Sequence, residues 1–244
     1  MPPASSISAS GRTTPLAEFH FVEDYERLVA HLVATRPIDE AMAVAVGGDF
    51  ENIGIIERAA MRHAGLRDGM ALIDLGCGSG RLAWALGQAM RVDYLGIDIV
   101  QALLDYARTK SPPGYRFILN RALHIPAPDA SADMVAAFSV FTHLLHAETF
   151  LYMEDIRRVL RPGGKLVFSF LEFANPDHWL VFSGTVDAQR TSAAPHLNQF
   201  IERNAIEAWC EKLGYTLEGF VDGTDAPWGD APPLWQALAV LRRP

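Results

Sequence analysis

Three glycines occupy alternate positions, Gly76, Gly78 and Gly80, in the segment "LIDLGCGSGRL". Because glycine lacks a side chain, a loop with this spacing allows a bound molecule to come close to the backbone. Three kinds of molecule could use such a loop: a dinucleotide with its pyrophosphate, a nucleoside triphosphate, or another cofactor that contains adenosine. The residues around the glycines distinguish between them.

The spacing of the glycines disfavours both phosphate-bearing classes. Loops that bind dinucleotides have the form G-x-G-x-x-G, in which the third glycine allows helix and strand to pack closely. The present loop has the form G-x-G-x-G, and Arg81 occupies the position of that third glycine. The G-x-x-x-x-G-K-[ST] form of phosphate-binding loops is absent from the sequence. A different adenosine-bearing cofactor is therefore favoured.

Strand and helix patterns alternate around the loop, from residue 69 to residue 170. Short apolar runs predict strands, and amphipathic stretches predict the helices between them. The five predicted strands are "MALIDLG", "VDYLGID", "YRFIL", "ADMVAAFSV" and "KLVFSFL". This alternation is typical of a mostly parallel sheet with helices on both faces. Near the end of the chain, "YTLEGFV" and "LWQALAVLRR" predict two more strands that form an antiparallel hairpin at one sheet edge.

Two segments fall outside this alternation. Residues 15–65 contain two helical patterns, which we interpret as an N-terminal lid in front of the main domain at residues 66–244. Residues 172–202 have no regular period, and we interpret them as an insertion that caps the substrate. The Ser-, Ala- and Pro-rich residues 1–14 predict a disordered tail, because they cannot form a core.

Four stretches, in this order, resemble the motifs of class I S-adenosylmethionine-dependent methyltransferases of the small-molecule type. They are "LIDLGCGSGRLAWAL", Asp98 at the end of the second predicted strand, "IPAPDASADMVAAFSVFTHL", and "IRRVLRPGGKLVFSF". The resemblance extends from Gly69 to about Arg242. It implies a seven-stranded, Rossmann-like sheet with an antiparallel C-terminal hairpin, and S-adenosyl-L-methionine as the cofactor.

The resemblance also implies how the cofactor is held. The glycine loop would approach its methionine moiety, and the first N–H groups of the following helix would suit its carboxylate. Asp74 would brace the loop or contact the amino group, Asp98 would accept hydrogen bonds from both ribose hydroxyls, and Ile99 would lie against adenine. The full set of expected cofactor contacts is Asp74, Gly76, Cys77, Gly78, Gly80, Asp98, Ile99, Ala122, Leu123 and Ser139.

One position departs from the family pattern. Related sequences often have an acidic residue in place of Arg121, and that residue contacts the adenine amino group. Arginine has hydrogen-bond donors only and cannot accept this bond. Adenine would then be held by backbone groups around Ala122 and Leu123, or by another acceptor.

The methyl acceptor would lie beside the loop after the fourth predicted strand, "FSVFTHL". Methyl transfer requires alignment in a dry site, and a base only where the acceptor must lose a proton. His143 is the candidate base or orienting group, because imidazole is neutral and charged in similar amounts near about pH 6.5; packing against the following helix is its alternative role. The expected substrate contacts are Phe21, Tyr25, Phe141, His143, His178 and Trp179.

Composition limits the other partners. The formal net charge of −8 argues against nucleic acid or an anionic membrane as the main partner. No apolar run approaches the roughly 18 residues that a membrane span requires. Two cysteines, Cys77 and Cys210, are too few for a disulfide framework, and the spacing of the histidines predicts no metal site. We therefore expect a cytoplasmic monomer or homodimer with a small-molecule substrate.

Aromatic residues in the two lid segments favour a planar aromatic or heterocyclic substrate, since flat rings stack on one another. The resulting hypothesis is N- or O-methylation of a small metabolite, as in natural product biosynthesis. The alternatives are a methyltransferase of RNA or protein, for which a basic face or a recognition domain would be expected, and a non-catalytic cofactor-binding scaffold or a nicotinamide enzyme.

Overall fold

The structure, a computed structural model, describes residues 22–191 and 198–244 of the chain. The tail predicted at residues 1–14 and the predicted substrate contact Phe21 lie outside these ranges. The described residues contain a sheet of seven strands: β1 Ala71–Leu75, β2 Asp93–Asp98, β3 Arg116–Leu119, β4 Ala132–Ala137, β5 Leu160–Phe170, β6 Thr216–Val221 and β7 Ala237–Arg242.

The strands lie in the order β3-β2-β1-β4-β5-β7-β6. Strands β1 to β5 pair in parallel, whereas β7 runs antiparallel to both β5 and β6. The parallel part of the sheet and the antiparallel C-terminal pair are confirmed as predicted. A parallel sheet brings the carboxyl ends of β1, β2 and β4 to one edge, and ligands of open α/β sheets bind at that edge.

The described part of the chain also contains eight α-helices: α1 Val22–Thr35, α2 Ile38–Ala45, α3 Phe50–Ala64, α4 Arg81–Gly87, α5 Gln101–Lys110, α6 His146–Val159, α7 Pro176–Arg190 and α8 Arg203–Leu213. Helix α7 lies in the segment that was predicted to have no regular structure. Its start has a clear signal in the sequence, because the side chain of Asn175 accepts a hydrogen bond from the N–H of Asp177 at 2.9 Å and Pro176 is the first helical residue. Among its side chains only His178 is buried, so no apolar period marks the helix.

Both faces of the sheet are covered by helices, as predicted. Alternate residues of a strand point to opposite faces. Ile73 of β1 therefore packs in one cluster with Ile156 of α6 and Ile206 of α8, while the preceding Leu72 packs in a second cluster with Met61 of α3. The second cluster also contains the buried residues Leu86 of α4 and Leu104 of α5.

The N-terminal helices divide into two groups. Helix α3 belongs to the layer that covers the sheet, and its close contact with α4 depends on Gly54, at which a Cβ atom would lie 2.4 Å from the carbonyl oxygen of Arg81. Helices α1 and α2 instead pack over the start of α5, where Val29 and Met42 share a cluster with Leu103. The part of the N-terminal segment at the carboxyl edge of the sheet is therefore α1, α2 and the turn that follows them.

Candidate active site

A cavity lies at the carboxyl ends of β1, β2 and β4, beside the turn between α2 and α3. It is lined by Tyr25, Val46, Glu57, Asp74, Leu75, Gly76, Cys77, Gly78, Arg81, Ile97, Asp98, Ile99, Asn120, Phe138, Ser139, Val140, His143, Leu144 and Tyr152. Nine of the predicted site residues are in this set: Tyr25, Asp74, Gly76, Cys77, Gly78, Asp98, Ile99, Ser139 and His143. The predicted residues that line the cavity come from four separate parts of the chain.

The glycine loop is held in a conformation that favours glycine. Gly76 and Gly78 have φ angles of 68° and 54°, in the left-handed region that side chains disfavour. A Cβ atom on Gly76 would lie 2.4 Å from Cγ2 of Val140, and one on Gly78 would lie 2.7 Å from Cγ1 of Val46. The N–H groups of Gly76 and Cys77 both donate to the carbonyl of Ile97, at 2.7 and 3.0 Å. The loop therefore presents bare backbone to the cavity and is fixed to the end of β2.

Asp98 organises the same loop from the end of β2. Its Oδ2 accepts the N–H of Gly78 at 2.8 Å and its Oδ1 accepts the N–H of Val100 at 2.9 Å. The residue is 5% exposed, and burial raises its pKa to about 6, against the effect of the backbone N–H donors. Each carboxylate oxygen offers about two acceptor positions, so both can accept a further hydrogen bond from a ligand.

Asp74, at the other side of the loop, is a second buried carboxyl group. Its Oδ2 accepts a hydrogen bond of 2.5 Å from the hydroxyl of Tyr94, whose ring is stacked on Tyr115 with centroids 4.7 Å apart. Burial raises the pKa of Asp74 to about 8; the hydrogen bond from Tyr94 opposes this shift and the charge of Glu57 adds to it. A cation placed beside Asp74 would favour its charged form.

Arg81 and Glu57 form a buried ion pair between α4 and α3. Nε of Arg81 lies 2.8 Å from Oε1 of Glu57, and its Nη1 donates to the carbonyl of Val46 at 2.6 Å. Burial raises the pKa of Glu57, and the charge of Arg81 opposes that shift. The pair fixes the turn after α2 against the glycine loop, so that Val46 contacts the position of Gly78.

Asn120, directly after β3, contributes a hydrogen-bonding side chain to the cavity wall. Its Nδ2 donates to the carbonyls of Ala122 at 3.0 Å and His124 at 2.6 Å, which assigns the orientation of the amide. Oδ1 has only a long contact of 3.4 Å with the N–H of Ala122, so it can accept another hydrogen bond. Arg121 pairs with Glu26 of α1, and its Nε lies 3.4 Å from the carbonyl oxygen of Ile99.

This arrangement corrects the prediction for Ala122 and Leu123. The carbonyl of Ala122 accepts hydrogen bonds from Asn120 and from the hydroxyl of Tyr152, the latter at 3.1 Å. Leu123 packs against the core. Neither residue is among those that line the cavity, whereas Asn120 is.

The turn after β4 brings Ser139 and His143 to the cavity. Ser139 has a φ angle of 55°, and its N–H donates to Oγ of Ser169 at 2.7 Å. Oε1 of Gln236 accepts hydrogen bonds from both serine hydroxyls, at 3.2 Å from Ser139 and 2.5 Å from Ser169. The chain then enters a short 3₁₀ helix, Phe141–His143. This turn places His143 in the cavity wall.

Gly80 and Phe141 have packing roles instead of the predicted contacts. A Cβ atom on Gly80 would lie 2.7 Å from Cβ of Ala107, so this glycine allows α4 to pack against α5. Phe141 is fully buried, and its ring centroid lies 5.0 Å from that of Phe168. A residue of the 3₁₀ helix that points into the core cannot also contact a substrate in the cavity.

His178 and Trp179 also lie away from the cavity. His178 is fully buried; its Nδ1 accepts the N–H of Glu172 at 3.1 Å, and its Nε2 is 2.9 Å from the carbonyl of Trp235. Both ring nitrogens are therefore engaged, and the predicted substrate contact is replaced by a structural role. Trp179 is 48% exposed and belongs to a surface cluster of rings with Phe173, Phe182 and Phe200.

Ten cavity residues were not predicted: Val46, Glu57, Leu75, Arg81, Ile97, Asn120, Phe138, Val140, Leu144 and Tyr152. Asn120 had a usable signal, because it is the first residue after a strand of the parallel sheet. Val46 and Glu57 come from the N-terminal segment, whose position relative to the loop depends on contacts between residues far apart in sequence. Their roles could not be read from local patterns.

Both cysteines are free and buried. Burial raises the pKa of each thiol, for Cys210 to about 11, so both are protonated at neutral pH and pack as small apolar groups. Within the described ranges, no three His, Cys, Asp or Glu side chains are arranged to hold a metal ion. None of the described helices has the length and apolar character that a membrane crossing needs.

Part of the chain matches a known protein family. Residues 73–168 match the family described as "Methyltransferase domain". The malonyl-[acyl-carrier protein] O-methyltransferase of Yersinia pestis is 31% identical over 151 residues, which are 61% of this chain and 52% of that protein. The demethylmenaquinone methyltransferase of Deinococcus radiodurans is 32% identical over 152 residues, 61% of each chain. The chain spans about half the length of the first curated relatives it matches, from 43% to 63%.

Solved structures show the same fold. A TehB-like SAM-dependent methyltransferase from Corynebacterium glutamicum superposes with a TM-score of 0.56 at 21% sequence identity, over 91% of this chain and 98% of that one. The segment that matches the family begins in β1 and ends in β5. It therefore includes the glycine loop, Asp98, Asn120 and the turn that carries His143.

Proposed function

We propose that this chain is an enzyme that transfers a methyl group from S-adenosylmethionine to a small molecule. Its residues 73–168 match the family described as "Methyltransferase domain", which supports the proposal. The observation that carries the proposal is the meeting of the glycine loop, Asp74, Asp98 and His143 in one cavity at the carboxyl edge of the sheet. The loop and the two carboxyl groups suit the cofactor, and the turn after β4 supplies the acceptor side.

The residues that line the cavity fit the parts of this cofactor. Gly76 and Gly78 line the cavity without side chains, which suits a close approach of the methionine moiety to their backbone. The free acceptor positions on Asp98 suit the ribose hydroxyls, because a charged acceptor strengthens each hydrogen bond. Ile99 provides an apolar surface for adenine, and Oδ1 of Asn120 can accept a hydrogen bond from its amino group. Asp74 suits the ammonium group.

When bound, the cofactor supplies an activated methyl group, and the chain supplies alignment and a dry site. Phe138, Val140 and Leu144 form apolar wall on the acceptor side and exclude water. Tyr25 of α1 completes this wall; its hydroxyl donates to the carbonyl of Ala45 at 3.0 Å, and burial raises its pKa, so it stays neutral. His143 then orients the acceptor or removes its proton.

The acceptor in this proposal is an oxygen or nitrogen atom of a planar aromatic or heterocyclic metabolite, as in natural product biosynthesis. Aromatic wall residues support a flat acceptor. The ring cluster around Trp179 adjoins the turn that carries His143: Gln199, which precedes Phe200 of the cluster, donates its N–H to the carbonyl of Thr142 at 2.7 Å. One relative is named an O-methyltransferase, which supports oxygen. The net charge of −8 favours such a molecule over nucleic acid and fits a cytoplasmic monomer or homodimer.

Ligand-dependent thermal stability tests the cofactor. S-adenosylhomocysteine at about 100 times its dissociation constant should stabilise the native state by roughly 2.7 kcal/mol and raise the melting temperature. NAD⁺ at the same concentration should leave the melting temperature unchanged, because the loop lacks the dinucleotide spacing. Stabilisation by NAD⁺ alone would refute the proposal.

Incubation with methyl-labelled S-adenosylmethionine and a panel of phenols, carboxylic acids and nitrogen heterocycles then identifies the acceptor by label transfer.

For His143 we predict a positioning role. His143→Ala should lower kcat by about tenfold or less and raise KM for the acceptor, while the affinity for S-adenosylhomocysteine stays unchanged. His124→Ala is the matched control, because His124 is an exposed histidine after β3 that pairs with Asp155 outside the cavity wall. A loss of 10²- to 10⁴-fold in kcat, together with loss of the acidic limb of the pH–rate profile, would instead identify a general base.

A further inference from the structure

Two serines and a glutamine form a closed hydrogen-bonding network, the serine–glutamine network, behind the turn after β4. The N–H of Ser139 donates to Oγ of Ser169 in β5 at 2.7 Å. The fully buried hydroxyl of Ser169 in turn donates to Oε1 of Gln236 at 2.5 Å, and the hydroxyl of Ser139 donates to the same oxygen at 3.2 Å. A serine hydroxyl can accept one hydrogen bond while it donates another. Ser139 is therefore held through both its backbone and its side chain.

The network holds a strained backbone. Ser139 has a φ angle of 55°, in the left-handed region that residues with a side chain disfavour. In the part of the chain that the structure describes, the other non-glycine residues with positive φ are Asp49, Ala130 and Trp235. A residue keeps such a conformation only where its surroundings fix it. For Ser139 the serine–glutamine network provides that constraint.

Gln236 is itself fixed by the residue before it. Trp235 has a φ angle of 74°, and its N–H donates to the carbonyl of Gly223 at 2.9 Å. Its carbonyl oxygen lies 2.9 Å from Nε2 of the buried His178 of α7. A Cβ atom on Gly223 would lie 1.9 Å from that same oxygen, so a glycine is required there. Helix α7 and the loop after β6 thus set the position from which Gln236 reaches the two serines.

The backbone conformation of Ser139 determines which groups line the cavity. Val140 follows it directly, and a Cβ atom on Gly76 would lie 2.4 Å from Cγ2 of Val140. Ser139, Val140 and His143 all belong to the cavity wall. A change of φ at Ser139 would redirect the chain that follows, and would therefore move Val140 away from Gly76 and His143 out of its place in the wall.

We propose that Gln236 and Ser169 are positioning residues for the cavity: they hold Ser139 in the left-handed conformation, so that the turn after β4 is in place before a ligand binds. This inference rests on the proposed function. Neither Gln236 nor Ser169 is among the residues that line the cavity, so both act through Ser139. The strain is then borne in folding, and a ligand binds more tightly because it does not have to reorder the turn.

Removal of the glutamine amide should weaken binding. Gln236→Leu keeps the approximate size of the side chain but cannot accept a hydrogen bond from either serine. In calorimetry, we expect it to lower the affinity for S-adenosylhomocysteine by about 5- to 100-fold, the range for a single residue that must return to the left-handed region on binding. Gln88→Leu is the matched control, because Gln88 is an exposed glutamine at the end of α4 and lies outside the cavity wall. It should retain the wild-type affinity.

Alanine and glycine at position 139 separate positioning from general destabilisation. Ser139→Ala and Ser139→Gly both remove the hydroxyl and keep the N–H that Ser169 accepts, but only glycine adopts a φ angle of 55° without strain. With Gln236 in place, Ser139→Gly should have the higher melting temperature, and the affinities of the two variants for S-adenosylhomocysteine should agree within about threefold. Combined with Gln236→Leu, the glycine variant should bind about 5- to 100-fold more tightly than the alanine variant.

The same comparison decides against the inference if its pattern differs. Wild-type affinity of Gln236→Leu, or equal affinities of its alanine and glycine combinations, would give Gln236 a purely structural role. An equally large difference between alanine and glycine with Gln236 in place would show that the network does not hold the turn. If Gln236→Leu does not fold, Ser169→Ala removes the network from the side of β5 and takes its place, with the same difference expected. Failure of the wild type to bind S-adenosylhomocysteine would instead refute the proposed function.

Discussion

Asp98→Ala is expected to lower the affinity for S-adenosylhomocysteine by at least about 10²-fold. The carboxylate would lose two charge-assisted hydrogen bonds to the ribose hydroxyls, each contributing roughly 1.5 to 3 kcal/mol. The substitution would also remove the hydrogen bond of 2.8 Å that Asp98 accepts from the N–H of Gly78. The loop that the ligand contacts would then be less rigid. Calorimetric titration at neutral pH measures the change directly.

Asp93→Ala provides the control from the same strand. Asp93 is the first residue of β2, at the opposite end from Asp98, and it forms an exposed ion pair with Arg116 at 2.9 Å. Exposed pairs of this kind contribute little to stability. Its removal should leave both the fold and the affinity unchanged. Equal affinities of the two variants for S-adenosylhomocysteine would remove Asp98 from the cofactor site.

The pH dependence of binding provides a second test of Asp98. Burial raises its pKa to about 6, so the carboxyl group is mostly ionised above that pH and mostly protonated below it. Protonation converts one acceptor into a donor. Titration of Asp98 should therefore leave the affinity for S-adenosylhomocysteine constant above about pH 6. Below that pH the affinity should fall by up to about tenfold per pH unit. Asp93→Ala should keep this fall, and Asp98→Ala should lose it.

The sequence predicted the parts of the site that are contiguous in the chain. Gly76 and Gly78 follow β1 and Asp98 ends β2, and the parallel topology brings the ends of those strands to one edge. Ser139 and His143 follow β4 for the same reason. Here local pattern and overall fold agree, so reasoning from spacing was sufficient.

Residues whose roles depend on distant partners could not be predicted. His178 resembles a substrate contact in sequence, but Trp235, which is 57 residues away, accepts a hydrogen bond from its buried ring. In the sequence, Arg81 only marks the absence of the third glycine of a dinucleotide-binding loop. Its hydrogen bonds are with Glu57 and Val46, 24 and 35 residues earlier. Such pairs are formed by the packing of α3 and of the turn after α2, and nothing within a short window of sequence specifies that packing.

The cavity wall departs from what stability alone would favour. Glu57, Asp74 and Asp98 are buried carboxyl groups, and burial raises the pKa of each. Among the described residues that line the wall, Arg81 is the one arginine, and there is no lysine. A ligand with an ammonium group would compensate part of the free-energy cost of burying these carboxyl groups. Such a destabilising feature is expected at a ligand-binding site.

Gly78→Val is expected to abolish measurable binding of S-adenosylhomocysteine, a loss of more than about 10²-fold. A branched side chain at a φ angle of 54° is strained, and its Cβ would lie 2.7 Å from Cγ1 of Val46, so the loop or the turn after α2 must move. The remaining methyl groups would occupy the space that the methionine moiety requires. The effect on binding therefore exceeds the effect of backbone strain alone.

Gly163→Val isolates the strain. Gly163 has a φ angle of 81°, and a Cβ atom there would meet no neighbour within 4 Å. It lies near the start of β5, at the amino edge of the parallel strands and away from the cavity. This variant should lose melting temperature, because strain at such positions costs about 1 to 3 kcal/mol, and keep the wild-type affinity. If both variants have a lower melting temperature and neither loses affinity for S-adenosylhomocysteine, the glycine loop does not contact the cofactor. If only Gly78→Val abolishes binding, glycine is required at position 78 because a ligand approaches this backbone closely.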